Sequence, residues 1–270
     1  MTQYVVCSII IGMKNTIAMK STILVMSAIL SLSPAVLNAG GYLKLDRDFA
    51  PAPGIEQSPL YRKSIAVLGD SYVQNHRRPI TEAWHCLLAQ KYQMHYYNFG
   101  RNGNRMVFDH PKQGATMLKR FTEIPKDVDY IVIIAGHNDA NAIDRLNGDN
   151  AVTDSSPETS EKKSEMLATF KDGCRKFISA LKTSYPKAKI AFVTPWAVDR
   201  PYFPEVIETI KAETAAAGVA CYDAATLSGV NPNDPEYRKK YFQRDNDTAH
   251  LNAEGHKVML GKIEHFMNAL

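Results

Sequence analysis

The sequence predicts an α/β fold, a three-layer α/β/α sandwich around a five-stranded parallel sheet. Short runs of apolar, often β-branched residues alternate along the chain with longer segments of helical periodicity. The runs are apolar at nearly every position, which is typical of strands covered by helices on both faces. Right-handed crossovers between such strands produce a doubly wound sheet, and the flavodoxin-like strand order 2-1-3-4-5 is expected.

The alternation divides into five strands and five helices. Strands are predicted at residues 65–68, 94–98, 130–135, 189–193 and 219–222. Helices are predicted at residues 79–92, 112–121, 161–184, 203–217 and 252–269. No internal repeat is visible, and one domain over residues 64–270 accommodates all of these elements.

The first 39 residues are typical of a secretory signal peptide. Residues 1–39 contain no Asp or Glu, and Lys14 and Lys20 precede an apolar run at 23–30. Small residues then lead to a cleavage site at 37–39. An uncleaved membrane anchor is the alternative, although the run is short for a spanning helix. We therefore expect a secreted or periplasmic protein without stable membrane insertion after cleavage.

Three further segments carry no clear period. Residues 40–63 are rich in proline and are predicted to form an extended N-terminal segment that packs on the domain or trails from it. Residues 140–160 and 223–246 are long polar loops, and both are expected to border the active edge of the sheet. We interpret these two loops as the walls that select the substrate.

Composition excludes several classes of function. The formal net charge of +4 falls to +2 without the two leader lysines. The sequence contains no basic block, so a nucleic-acid partner is not expected. No metal-ligand spacing appears, so neither a metal nor another cofactor is expected. Cys86, Cys174 and Cys221 are interpreted as buried free thiols, with one disulfide left as an alternative.

A candidate nucleophile follows the first predicted strand. The tetrapeptide Gly69-Asp70-Ser71-Tyr72 comes where the apolar run 65–68 ends. In a parallel sheet that position lies at the edge where ligands bind. A serine hydroxyl needs a neighbouring base to become a nucleophile. Ser71 alone is a weak signal, because this kind of tetrapeptide also forms ordinary turns.

The candidate base is His250. Asp247 lies three residues before it, so one tight turn can bring the carboxylate to the imidazole. Such a contact orients the base and stabilises the imidazolium that forms during attack. Asn252 is a suitable N-cap for the last predicted helix, which would anchor the turn.

Three groups could bind the oxyanion of a tetrahedral intermediate. They are the backbone N–H groups of Ser71 and Gly100 and the side-chain amide of Asn138. Each follows one of the first three predicted strands, which are neighbours in the expected sheet order. The strand order therefore predicts that these groups converge.

These segments resemble the sequence blocks of the SGNH hydrolases, the GDSL-type lipase and esterase superfamily. The similarity lies in Gly69-Asp70-Ser71, in Asn98-x-Gly100-x-x-Gly103, in Gly136-x-Asn138-Asp139 and in Asp247-x-x-His250. It spans residues 65–256 and implies the SGNH-hydrolase fold, with Ser71, Asp247 and His250 catalytic and Ser71, Gly100 and Asn138 as oxyanion donors. Tyr72 departs from the Leu of the family name.

One departure separates this chain from another hydrolase fold, and the remaining histidines have no assigned catalytic role. Val73 stands where the Gly-x-Ser-x-Gly elbow has its second glycine, which argues against the α/β-hydrolase fold. His256 is interpreted as a helix-face residue rather than a second base. The other histidines show no ligand spacing and are interpreted as structural or solvated; they are His76, His85, His95, His110 and His265.

Several residues near the motifs are candidates for substrate contact. They are Tyr72, His137, Asp139 and Trp196. Trp196 could form a stacking platform for a sugar or could simply pack in the interior. Arg101 and Arg105 flank the second block and could contact an anionic substrate.

The expected function is a secreted serine esterase that acts through an acyl-enzyme. Export and a polar, Tyr-rich second loop favour removal of short acyl groups, such as acetyl, from a carbohydrate. A lysophospholipase or thioesterase is the alternative among enzymes. From a different class, the chain could be a non-catalytic carbohydrate-binding protein on the same fold. The expected ligand is a small-molecule or glycan ester.

Overall fold

A mostly parallel sheet forms the centre of the protein in a computed structural model that describes residues 41–47, 49–148 and 154–270. The strands are β1 (Tyr42–Leu43), β2 (Ser64–Gly69), β3 (His95–Gly100), β4 (Tyr130–Ile134), β5 (Lys189–Val193) and β6 (Ala220–Tyr222). Their order is β1-β3-β2-β4-β5-β6. The five parallel strands therefore follow the predicted order 2-1-3-4-5. The predicted signal peptide, residues 1–39, lies outside the described residues.

The sheet has one strand more than the sequence predicted. β1 pairs antiparallel to β3, with Tyr42 opposite Tyr97. It belongs to the segment 40–63, which also buries Leu45 and Leu60. This segment packs on the domain, because its apolar side chains join the same core as the sheet.

Strand register brings the predicted motifs to a single edge. Gly69 lies opposite Gly100 in the β2–β3 pair and opposite Ile134 in the β2–β4 pair. All three strands thus end at the same level, at the carboxyl edge of the sheet. The residues that follow each strand are consequently neighbours.

Helices cover the two faces of the sheet. They are α1 (Ser71–Gln74), α2 (Trp84–Lys91), α3 (Met117–Arg120), α4 (His137–Asp144), α5 (Pro157–Ser184), α6 (Phe203–Ala216), α7 (Ala224–Leu227), α8 (Pro235–Tyr241) and α9 (Ala253–Ala269). Helix α2 packs against α9, and α5 packs against α6. In the described part of the chain, no helix is long and apolar enough to cross a membrane.

Both predicted long loops contain helices. α4 extends to Asp144 and α5 begins at Pro157, four residues before the predicted start. The Ser156 side chain caps α5 by accepting from the Thr159 backbone N–H, and the proline at the first helical position is a recognised start signal. In the second loop Asp234 and Pro235 start α8 in the same way. The two loops are therefore shorter than the sequence suggested.

All three cysteines of the described chain are free. Burial raises the pKa of the Cys86 and Cys174 thiols to about 12 and that of Cys221 to about 11. These thiols therefore stay protonated and behave as small apolar side chains.

Candidate active site

Ser71, His250 and Asp247 form a hydrogen-bonded triad. The Ser71 Oγ lies 2.9 Å from Nε2 of His250, and the His250 Nδ1 lies 2.9 Å from Oδ2 of Asp247. A carboxylate accepts at Nδ1–H, so Nε2 is free to accept the hydroxyl proton of Ser71. Residues separated by 179 positions in the sequence thus meet at hydrogen-bonding distance.

A sharp turn from β2 into α1 places the Ser71 hydroxyl beside the imidazole of His250. Asp70 caps α1, with its Oδ1 accepting from the Tyr72 backbone N–H at 2.9 Å. The turn requires glycine on both neighbouring strands. A Cβ on Gly69 would lie 2.4 Å from Cγ2 of Val73, and a Cβ on Gly100 would lie 2.2 Å from the backbone N of Gln74. Both glycines are thus explained by the close approach of the α1 backbone.

The turn that carries the base is stabilised locally by Asp247. Its Oδ1 accepts from the backbone N–H groups of Ala249 and His250, at 2.8 and 2.9 Å. Asn252 then caps α9 by accepting from the Gly255 N–H. The spacing of three residues between Asp247 and His250 is explained by this geometry, since one carboxylate serves both the imidazole and the turn.

Two side chains from the β5–α6 connection attach this turn to the domain. The Trp196 Nε1 donates to the Thr248 carbonyl at 3.2 Å, and the Arg200 Nη2 donates to the Thr248 hydroxyl at 3.2 Å. Trp196 itself stacks on Tyr72, with ring centroids 4.2 Å apart. The aromatic pair therefore links the serine turn to the histidine turn.

The Asp247 carboxyl is held in its ionised form. Partial burial alone would raise its pKa, but hydrogen bonds from the His250 side chain and from the His250 and Ala249 backbones outweigh that effect. Together they lower the pKa of Asp247 to about 2. The carboxylate is consequently ionised at neutral pH and can stabilise an imidazolium on His250.

The candidate oxyanion donors lie at neighbouring strand ends. The Asn138 amide donates to Oδ2 of Asp70 at 3.0 Å and to the Asn104 carbonyl at 3.2 Å. The Gly100 backbone N–H donates to Oδ1 of Asn98 at 2.9 Å. Ser71 is the first residue of α1, where backbone N–H groups point out of the helix end. The three donors thus lie at adjoining strand ends, and two of them also bond within the protein.

Asp70 is a buried carboxyl next to the nucleophile. Burial raises its pKa to about 7, against the opposing effect of the hydrogen bond from the Tyr72 backbone. Its two oxygens receive the Tyr72 N–H and the Asn138 amide. Asp70 therefore connects the serine turn to the amide of Asn138.

A cavity of about 350 Å³ opens at the imidazole of His250. Its walls are polar, and among the lining residues only Ala249 is aliphatic. Three arginines line it, Arg77, Arg200 and Arg244. The second predicted loop thus reaches the triad through Gln243 and Arg244, whereas none of the described residues of the first, 140–148 and 154–160, lines this cavity.

Sequence reasoning missed His76 and these arginines. The His76 ring stacks on the His250 ring with centroids 4.6 Å apart. Burial and the neighbouring His250 lower the pKa of His76, which disfavours a positive charge on its ring beside the base. The available signal was the position of His76 and Arg77 directly after the serine helix α1. Arg244 lies three residues before Asp247, which was a second local signal. The Arg200 side chain reaches the site only through tertiary contacts.

Of the four residues predicted to contact substrate, only His137 lines this cavity. Its Nδ1 lies 2.7 Å from the Tyr72 hydroxyl, and burial lowers its pKa to about 3. Trp196 is only 2% exposed, so the packing alternative applies to it. Asp139 is fully buried and accepts from the Met106 and Val107 backbones. Tyr72 and Asp139 are therefore structural, contrary to the expectation.

Two other expectations, for the arginine pair and for His256, are resolved by the contacts of the residues concerned. Arg101 pairs with Glu123, and Arg105 is buried and donates to Asn147, so the predicted role in anion contact does not suit these two arginines. His256 is buried, and its Nε2 lies 3.0 Å from Oδ1 of Asn75. It is therefore a structural histidine of α9. The described residues hold no cluster of three metal-ligating side chains.

A parallel α/β sandwich with a Ser–His–Asp chain at its carboxyl edge belongs to the serine hydrolases as a class. Residues 67–258 match the model of the GDSL-like lipase/acylhydrolase family. The chain therefore belongs to that family and is a serine ester hydrolase. This confirms the resemblance seen in the sequence motifs, and it favours the enzyme over the non-catalytic binding protein.

Solved structures share the fold. A protein from Lactobacillus plantarum is 20% identical with a TM-score of 0.61, over 77% of this chain and 98% of that one. A member of the lipolytic protein G-D-S-L family from Veillonella parvula is 15% identical with a TM-score of 0.52, over 77% of this chain and 99% of that one. No curated protein matches the sequence. At these identities the similarity supports the fold alone.

Proposed function

We propose that this ester hydrolase is a secreted enzyme that removes short acyl groups, such as acetyl, from a carbohydrate. Ser71 is the proposed nucleophile, His250 the general base and Asp247 the carboxylate that orients it. The observation that carries the proposal is the 2.9 Å contact between the Ser71 Oγ and the Nε2 of His250, whose imidazole lines a polar cavity.

The proposed reaction proceeds in two steps. His250 takes the hydroxyl proton of Ser71 as the Oγ attacks the ester carbonyl, and it then passes that proton to the leaving alcohol. An acyl group remains on Ser71. Water, activated by the same imidazole, attacks the acyl-enzyme and releases the carboxylic acid. Asp247 stays ionised throughout, in keeping with its low pKa.

The oxyanion of each tetrahedral intermediate would be bound by Ser71 N–H, Gly100 N–H and the Asn138 amide, with the Gly100 N–H shared between the oxyanion and Oδ1 of Asn98. The Asn138 bond to the Asn104 carbonyl, at 3.2 Å, is longer than its bond to Asp70, at 3.0 Å. We infer that an oxyanion takes the place of the Asn104 carbonyl, while Asp70 keeps the amide oriented. Such preorganised donors typically contribute the largest share of the rate enhancement.

A short acyl group and a polar alcohol suit the cavity at the triad. Its lining is almost entirely polar or charged, so a long acyl chain would bury little apolar surface there. Export is supported by the acid-free residues 1–39 with their lysines and apolar run. We propose neither a nucleic-acid partner nor stable membrane insertion of the mature protein.

The test is hydrolysis of p-nitrophenyl acetate by the purified protein and its Ser71→Ala variant. Loss of the nucleophile should reduce kcat by about a million-fold, to the background level. Ser164→Ala, on the exposed side of α5, is the matched control and should keep full activity. Equal activity in Ser71→Ala and wild type would refute the assignment.

A lysophospholipase is the second candidate, and one observation favours it. A cavity of about 400 Å³, lined by Val198, Phe203 and Ile207 among others, shares Arg200 with the cavity at the triad. An acyl chain of moderate length could lie against those apolar side chains. Rates on p-nitrophenyl esters from acetate to palmitate separate the two candidates, because an optimum at eight carbons or more would favour the lipid hydrolase.

A further inference from the structure

The cavity at the triad is flanked by two others that share its lining. On one side lies the basic arm, which we define as the cavity of about 560 Å³ lined by Arg77, Arg78, Lys239, Gln243 and Arg244 together with residues at the start of α9. It shares Arg77, Gln243 and Arg244 with the cavity at the triad. The two cavities therefore adjoin along a common wall.

Two arginines of the basic arm carry charge that the protein does not neutralise. Arg78 pairs with Glu82 and Lys239 pairs with Glu236. Arg77 and Arg244 have no carboxylate partner among the described residues, and both side chains belong to exposed residues. Their positive charge is thus available to a ligand.

Two of the acidic groups near the triad are engaged, and a third, the exposed Asp245 next to Arg244, lies near Lys239. Asp247 is bonded to His250, and Glu254, which also lines the basic arm, pairs with Lys257. Arg200 adds a third cation on the wall of the triad cavity, again without a carboxylate partner in the described chain. The cavity at the triad therefore carries three guanidinium groups, Arg77, Arg200 and Arg244, that pair with no carboxylate among the described residues.

The cavity on the other side of the triad is less basic and more apolar. The cavity beyond Arg200 is lined by Val198, Phe203 and Ile207, and it also carries Asp199 and Glu208. Glu208 pairs with Lys211, so Asp199 is the carboxylate of this cavity that has no ion pair among the described residues. An anionic group would be repelled by Asp199 and attracted by Arg77 and Arg244. The charge distribution thus gives the site a direction, with the basic arm suited to the anionic part of a ligand.

We propose that the acylated substrate is an anionic glycan whose carboxylate or phosphate groups lie in the basic arm. The proposal rests on the esterase function proposed above. The ester-bearing sugar lies at Ser71, and the anions of neighbouring units contact Arg77 and Arg244. Guanidinium groups match carboxylate and phosphate oxygens in paired hydrogen bonds. A glycan is favoured over a lipid because the residues lining the triad cavity are polar.

The test uses three substrates with one backbone, O-acetylated to the same degree. They are dextran acetate, carboxymethyl-dextran acetate and phosphorylated dextran acetate, and released acetate is measured. For the wild-type protein we expect a KM for a charged polymer about tenfold below that for the neutral one, from several exposed ion contacts together. Comparison of the carboxymethyl polymer with the phosphorylated polymer shows which anion is preferred. The preference should shrink as NaCl rises from about 0.05 to 0.5 M, because salt screens exposed charges.

Variants connect the preference to the two arginines. Arg77→Gln with Arg244→Gln should bring the KM for charged polymers to that for neutral dextran acetate. Replacing both with Lys should retain part of the preference, since the charge remains. Arg62→Gln is the matched control, because it removes one exposed arginine just before β2, at the opposite end of that strand.

The outcomes separate this inference from the esterase function. Activity on p-nitrophenyl acetate that is lost in Ser71→Ala supports the function, whatever the polymers show. If that activity is present, equal KM values on all three dextrans would overturn the proposal of an anionic substrate. So would an effect of Arg62→Gln as large as that of the double variant. Faster turnover of lysophosphatidylglycerol than of any dextran, lost in the double variant, would replace the glycan with a lipid.

Discussion

Ser71 and His250 lie 2.9 Å apart, yet the regions that hold them differ in burial and in anchoring. Ser71 is 8% exposed. It begins α1, which packs closely on Gly69 next to the fully apolar centre of the sheet. The side chains of His250 and Asp247 are 19% and 17% exposed and belong to a loop near the end of the chain. The nucleophile is placed by the core, whereas the base is placed by a few hydrogen bonds.

This difference separates two kinds of mutational effect. Changes on the serine side disturb buried groups, so they should alter stability as well as catalysis. Changes on the histidine side remove single contacts of a partly exposed turn, so they should reduce catalysis with little loss of stability. The following predictions test that contrast.

Asp247→Asn should have the largest effect among the residues around the base. The amide cannot hold His250 in the required tautomer or stabilise its imidazolium, so kcat should fall by about ten thousand-fold. The melting temperature should change by only a few degrees, because the turn is partly exposed. Activity on p-nitrophenyl acetate and a thermal melt measure both quantities. A large loss of stability would contradict the contrast between the two sides.

Asn138→Ala removes the proposed side-chain oxyanion donor. We expect kcat to fall by about a hundred- to a thousand-fold, with a smaller change in KM, because the donor acts mainly on the transition state. The variant also leaves Oδ2 of the buried Asp70 without the Asn138 amide, so stability should fall too. Steady-state kinetics and urea unfolding provide the test. Unchanged kcat would remove Asn138 from the oxyanion site.

Asp70→Asn should reduce kcat by roughly tenfold, an estimate for one lost hydrogen bond to a charged group. With Oδ1 of the new amide accepting from Tyr72, its NH₂ group would face the amide of Asn138. The replacement would therefore disturb the orientation of Asn138. Activity at pH 8 measures the effect, and Asp46→Asn, in the segment before β2, serves as a control that should keep full activity.

The same variant should change how stability depends on pH. The pKa of Asp70 is raised to about 7, so between about pH 4 and 7 the folded protein holds a proton that the unfolded chain releases. This group therefore makes stability fall as pH rises through that window. The buried histidines oppose it, since burial lowers the pKa of His85 to about 4 and those of His137 and His256 to about 3.

Those histidines make stability rise with pH up to about 6.5, because only the unfolded chain is protonated there. Without Asp70 the rise should be steeper. The measurement is the urea midpoint of wild type and Asp70→Asn between pH 5 and 8. Parallel curves for the two proteins would show that Asp70 is ionised in the same way in the folded and unfolded states.

Trp196→Phe should have the smallest effect. Phenylalanine keeps the aromatic stack on Tyr72 but loses the hydrogen bond to the Thr248 carbonyl. We expect kcat to fall about twofold to tenfold, as the histidine turn becomes less well positioned, with a nearly unchanged melting temperature. Trp84→Phe, in the core beside His85, provides the opposite control, with lower stability and little change in kcat.

Much of the fold was predictable because its signals are local. The apolar runs of β2 and β4 are buried at nearly every position, and their order in the sheet follows from crossover handedness. The missed elements have weak local signals. β1 has only two residues and exists through its pairing with β3. Helix α4 has only eight residues and begins inside the motif that contains Asn138, so it is too short to show a clear helical period.

The predicted site was partly recoverable for the same reason. Ser71, Gly100 and Asn138 follow strand ends, so their convergence could be deduced from the strand order. Trp196 also follows a strand, but its neighbours Tyr72 and Thr248 cover it. Whether a residue at a strand end faces substrate or core depends on side chains from distant parts of the chain, which local patterns do not encode.

The sequence by itself determined the parallel sheet, the family motifs and the close pair of Asp247 and His250, because each depends on neighbours in the chain. Only the tertiary structure decided that Asn138 bonds Asp70, that His76 stacks on His250, and that Arg77 and Arg244 line the cavity while Arg101 and Arg105 do not. The physical reason is that partners far apart in the sequence hold some long side chains and not others. Glu123 and Asn147 hold Arg101 and Arg105, whereas Arg77 and Arg244 have no carboxylate partner among the described residues.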